Sequence, residues 1–152
     1  MRTFNRGVPN HRLHEALRFL TDDEQRLFAR LQPVDQRHSL QMFEAARAMQ
    51  PNDRVLWVAA LLHDVGKGQP RRLDRVMLTL LETVAPWRLI RWQRLPRNSW
   101  RGVIARLAAH TEGSARFAEL AGSDAEVVVT IRSYGHRDDA RGKRLAELDA
   151  VL

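Results

Sequence analysis

The apolar run 55–62 passes without interruption into His63-Asp64-Val65-Gly66-Lys67, and this junction constrains the fold more than any other stretch. Eight successive apolar residues (Val, Leu, Trp, Val, Ala, Ala, Leu, Leu) read as a helix buried on most of its circumference. The glycine at 66 marks its end, with Lys67 just past it. An imidazole and a carboxylate at the inner end of such a helix are costly to desolvate unless something compensates them. A shared cation is the simplest compensation.

The helical reading extends over the chain, because every long segment shows helical rather than alternating periodicity. A first amphipathic helix is predicted over 10–20, with Leu13, Leu17 and Leu20 on one side. Thr21 and Glu24 form a capping box for a second that Pro33 stops, and Asp35 caps a third ending near Met49. Asn52 or Asp53 caps the helix that ends at Gly66. Further helices are predicted over 73–84 and from Asn98 or Ser99 to His110. Beyond them come 112–121 with Gly122 at its C-terminus, 124–134 opened by a Ser123–Glu126 capping box, and Gly142 or Lys143 to Leu152. About eight or nine helices and no convincing strand make an all-α bundle. One domain over 1–152 is expected, with 1–34 as a helical extension packed on it.

Composition narrows the chemistry. There is no cysteine, so thiolate metal sites, cysteine nucleophiles and disulfides are excluded. No apolar run approaches the length of a membrane span, and the Arg- and His-bearing first twenty residues are not a secretory signal, so a cytoplasmic location is expected. The balance is 25 basic to 18 acidic residues, a net charge of +7, with all but two of the cations arginine. That surplus suits a phosphate-bearing partner, a nucleotide or a nucleic acid, and equally an ordinary solvated face. In segment 86–101, Trp87, Trp92 and Trp100 alternate with Arg88, Arg91, Arg94, Arg97 and Arg101. This is either a stacking surface for bases or, preferentially, tryptophans tucked under a connection with the arginines in water.

Several metal-ligating side chains fall on apolar stripes. His38 shares one with Met42, Ala45 and Met49; His63 with Leu56, Ala59 and Ala60; His110 follows Val103 and Leu107; Asp149 lies between Leu145 and Leu152. His136 follows Gly135 at a helix end. Any one of these histidines is most simply a hydrogen-bonded core residue, and Asp149 alone a surface acid on a frayed helix, as His11 and His14 near the terminus are surface residues. Several together in one small helical domain point to a shared ion. Imidazoles and carboxylates without thiolate suit Mn, Fe, Co, Ni or Zn, with Mn or Fe favoured.

His38, followed twenty-five residues later by His63-Asp64 within Leu-Leu-His-Asp-Val-Gly-Lys, and a late Asp149, resemble the H…HD…D signature of the HD-domain metal-dependent phosphohydrolases. His110-Thr111-Glu112-Gly113-Ser114-Ala115 is similar to the extra-histidine element of the HDIG-type subgroup, with Thr111 where that subgroup carries proline, and His136 falls where it has another histidine. The closing Leu148-Asp149-Ala150 departs from the usual Ala-Asp, and Asp138 or Asp139 is the alternative acid. The resemblance implies one metal on His38, His63, Asp64 and Asp149. It implies a second on His110, His136 and a bridging Asp64, with Lys67 against the phosphoryl oxygens.

The activity so implied is a binuclear phosphodiesterase acting on a nucleotide or cyclic-nucleotide type substrate through a metal-bridging hydroxide. A mononuclear phosphomonoesterase, a nucleotidase, is the alternative. A diiron oxygenase using the same ligands is a reading from another class, and a binding module that has lost turnover is a third.

Overall fold

The structure is a computed structural model that describes residues 10–67, 110–136 and 138–152. These residues form seven helices and no strand: α1 Asn10–Leu17, α2 Asp22–Phe28, α3 Pro33–Met49, α4 Arg54–Leu62, α5 His110–Leu120, α6 Ala125–Arg132 and α7 Ala140–Asp149. The helices predicted over 73–84 and from Asn98 or Ser99 to His110, and the Trp/Arg segment, lie outside the described residues.

Helix α4 is the axis of the assembly. It packs against α3 most extensively and also meets α2, α6 and α7. Contact on so many sides is what an almost wholly apolar helix requires, and Leu56, Val58, Ala59, Ala60, Leu61 and Leu62 are all buried. Phe28, Met42, Phe43, Ile131 and Leu145 complete the core around it. Helix α5 pairs with α6, while α7 closes over α6, α3 and α4. No described helix is long and apolar enough to cross a membrane.

Local chemistry sets most of the ends. The Thr21–Glu24 capping box forms as predicted, with Thr21 N donating to Glu24 Oε2 at 2.8 Å and Glu24 N to Thr21 Oγ1 at 3.3 Å. Asp53 caps α4 by accepting from Leu56 N at 3.2 Å. Gly122, at φ +72°, ends α5 in a Schellman turn: Ser123 N donates to Ala118 O and Gly122 N to Glu119 O, both at 3.0 Å.

Several predicted boundaries are corrected. Helix α1 ends at Leu17, and a turn carries the chain to Leu20. Pro33 does not merely stop α2 but opens α3, where its fixed φ suits the first helical position and its missing N–H is not needed; Asp35 is therefore inside the first turn and buried, not the cap. Asp124 rather than Ser123 caps α6, accepting from Glu126 N at 2.8 Å, because the Ser123 hydroxyl is donated to Glu24 Oε1 at 2.6 Å. Helix α7 starts at Ala140, capped by Asp139, and ends at Asp149 instead of running to Leu152.

Candidate metal centre

The centre lies where α4 gives out. The last helical residue is Leu62, and residues 63–67 continue in tight turns, Val65 N donating to Leu62 O at 3.2 Å and Lys67 N to Asp64 O at 3.0 Å. Gly66 keeps a negative φ, so the helix ends without a left-handed glycine. Beneath this turn the α3 stripe carries His38 into ring contact with His63, their centroids 5.5 Å apart. One ligand atom each from His38, His63 and Asp64 lies within 4.8 Å of the others, the one such group among the described residues.

His63 and Asp64 have no solvent exposure. His63 Nδ1 faces Ala60 O at 2.9 Å, and a carbonyl only accepts, so Nδ1 carries the proton and Nε2 the lone pair. Burial pushes the His63 pKa down, which keeps the ring neutral. That bare Nε2 is buried, has no hydrogen-bond partner and lies 3.4 Å from Asp64 Oδ1. Two groups that each hold only lone pairs repel at this separation, and a cation between them reverses the sign. Asp64 Oδ2 is paired with Lys67 Nζ at 2.5 Å.

The fourth side chain arrives from the far end of the sequence. Asp149, on the last turn of α7, takes His38 Nε2 on Oδ1 at 2.8 Å and the Tyr134 hydroxyl on Oδ2. The hydrogen bond to Asp149 raises the His38 pKa despite partial burial, and the same bond holds Asp149 well below the usual carboxylate range. Tyr134 also lies parallel to His63, ring centroids 6.4 Å apart and planes within 4°. Its hydroxyl stays protonated, since burial drives its pKa upward. No periodicity singled out Tyr134; the available signal was that the one tyrosine of the chain ends an apolar helix.

His38, His63, Asp64 and Asp149 thus come together, whereas the other expected residues are distributed differently. Lys67 sits beside Asp64, its side chain one-fifth exposed. Asp139 accepts from Gly142 N as the cap of α7, and Asp138 is exposed. His136 is exposed in the turn after α6, outside the group, where its N–H donates to Ser133 O at 2.9 Å. The side chain of His110 lies outside what the structure describes. Its helix is nevertheless tied to the centre, because Gly66 N donates to Ser114 Oγ at 2.9 Å. A Cβ built on Gly113 would be 3.7 Å from Gly66 Cα, an ordinary packing distance. His11 and His14 are exposed on α1.

The residues fit a divalent ion. They comprise a neutral, orphaned imidazole, a second imidazole and the Asp64 carboxylate, with the Asp149 carboxylate against His38, a hard-to-borderline set without thiolate. A family model of the HD domain matches residues 36–132, well over half of the chain. No curated protein and no solved structure matches it.

Proposed function

The chain belongs to the HD-domain family, within the metal-dependent phosphohydrolase superfamily, and on that premise we propose that it hydrolyses a nucleotide-type phosphate ester at a divalent-metal centre held by His38, His63, Asp64 and Asp149. The observation that carries the reading is the buried His63 Nε2, proton-free and without a hydrogen-bond partner between His38 and Asp64. Among the described residues four side chains gather at this place, which favours a single ion and a phosphomonoester substrate.

A bound divalent cation supplies Lewis acidity at the phosphoryl oxygens and makes water a stronger nucleophile at neutral pH. The remaining work belongs to the chain. Asp64, sealed from solvent and paired with Lys67, lies at the centre of the site. Lys67 places an ammonium next to that carboxylate, in reach of charge developing on a transferred phosphoryl group. His63, neutral by burial, offers its lone pair without first losing a proton. The hydrogen bond to Asp149 favours the protonated form of His38, which must lose that proton to ligate through Nε2, so ion binding is coupled to proton release. The net charge of +7 draws anionic esters toward the protein.

A second reading, two ions and a phosphodiester, is favoured by the bond from Gly66 N to Ser114 Oγ, which ties the helix bearing His110 to the turn bearing Asp64. Metal analysis of protein loaded with Mn²⁺, paired with turnover of p-nitrophenyl phosphate and bis(p-nitrophenyl) phosphate, tests both. One ion per chain and faster monoester turnover is expected. Two ions with faster diester turnover favours the second reading, and no turnover of either ester by Mn²⁺-loaded protein rejects both.

A further inference from the structure

We propose that Tyr134 is the positioning residue that fixes Asp149 as a metal ligand, its hydroxyl holding one carboxylate oxygen while its ring lies along His63. The inference rests on the reading of His38, His63, Asp64 and Asp149 as one centre.

Asp149 is the most weakly anchored of the four by sequence alone. It occupies the last helical turn of α7, where a helix lacks onward hydrogen bonds, and a carboxylate there has two free side-chain torsions. Tyr134 removes that freedom. Its hydroxyl donates to Oδ2, which leaves Oδ1 directed to His38, so the two oxygens have separate tasks. The aromatic ring meanwhile faces His63, whose other nitrogen is already tied to Ala60 O. One side chain therefore bonds the α7 contributor and lies parallel to the one at the end of α4.

The backbone around Tyr134 is built to set that distance. Gly135, at φ +76°, turns the chain after α6 and its N–H donates to Gly142 O at 3.0 Å. On the other side of this clamp Gly142 packs so closely that a Cβ there would lie 2.2 Å from Ser133 O. The turn bearing Tyr134 and the start of α7 are thus locked in one register, and two turns along α7 Asp149 meets the hydroxyl. Partners that orient a metal ligand in this manner typically contribute about 10–100-fold to metal affinity.

The test compares the wild-type chain with Tyr134→Phe and Asp149→Asn. Mn²⁺ affinity, the visible d–d spectrum of the Co²⁺-loaded protein and the melting temperature of the metal-free protein are measured. Tyr134→Phe keeps the ring and removes only the hydroxyl. It is expected to weaken Mn²⁺ binding about 10–100-fold and to shift the Co²⁺ bands. The metal-free melting temperature should move by no more than about 4 °C, the effect of roughly one lost hydrogen bond. Asp149→Asn is expected to weaken binding at least as much. Wild-type Mn²⁺ affinity in Tyr134→Phe, with loss in Asp149→Asn, overturns the positioning role and leaves the centre intact. Loss in Tyr134→Phe with wild-type affinity in Asp149→Asn also overturns it, because the tyrosine would then not act through Asp149. Wild-type affinity in both variants removes Asp149 from the centre and with it the reading on which the inference rests.

Discussion

The two ends of α4 use polar residues in opposite ways. At its start, Asp53 accepts from Leu56 N and from Arg141 Nε at 2.9 Å, and Arg141 also reaches Glu126 at 2.6 Å. Next to this end, buried Glu24 has both carboxylate oxygens occupied, by Thr21 N and Ser123 Oγ. At the other end, His63 is as deeply buried as any side chain in the core, yet its Nε2 has no hydrogen-bond partner. One end satisfies its polar atoms within the protein and ties helices together; the other leaves a lone pair open at considerable desolvation cost. A polar cluster that does not complete its own hydrogen bonding is the one to suspect of binding something else.

The comparison breaks most visibly at Asp64. Asp64→Ala is expected to abolish metal binding, a loss greater than about 100-fold and so beyond the range of residues that only orient a ligand. Retained metal content by elemental analysis would mean that the unsatisfied end is not a metal site. Next in size is Gly142→Ala. Its Cβ would meet Ser133 backbone at 2.2 Å, so α7 must shift away from the turn. A destabilisation of about 1–3 kcal/mol in urea unfolding is expected, with weaker metal binding because Asp149 moves with the helix.

Asp53→Ala probes the satisfied end. Loss of the cap is expected to lower stability by about 1 kcal/mol while metal affinity is unchanged, which calorimetric titration and thermal unfolding separate. A parallel fall in metal affinity would show that the two ends are coupled. The smallest effect is a pH dependence of the metal-free protein. His38 is raised above its ordinary value of 6.5, so its contribution to stability is fully present below about pH 6.5 and is lost as pH rises through its folded value. Asp149 is lowered from 3.8, so its contribution is present above about pH 3.8 and is lost as pH falls through its folded value. The pair therefore stabilises most between those limits. Melting temperatures across pH 3 to 9 should show that window in the wild type and lose it in Asp149→Asn.

Features decided within one turn of helix were legible beforehand. The Thr21–Glu24 capping box, the Gly122 terminus and the buried character of α4 each depend on residues three to five apart, where backbone geometry leaves little choice. Ser123 and Asp124 show the limit. Both residue types cap helices, and the selection was made by Glu24, ninety-nine positions away, which takes the Ser123 hydroxyl. Pro33 shows another: the same rigid ring serves as a stop for one helix and the first residue of the next.

The centre divides along the same line. His38 and His63 are recognisable from their apolar stripes, and Asp64 from its place beside His63 at the end of the apolar run. The choice of Asp149 over Asp138 or Asp139 to face His38, and the use of Tyr134 to hold it, came from how α7 packs on α6, α3 and α4. His136, by contrast, follows a glycine turn whose outcome periodicity does not govern, and it lies exposed. By itself the sequence determined an all-helical chain with imidazole and carboxylate buried at the end of its most apolar helix, because side-chain direction within a helix repeats every 3.6 residues. Only the tertiary structure decided which distant carboxylate and which hydroxyl meet that pair, because those contacts depend on a close approach at Gly142 that no local pattern encodes.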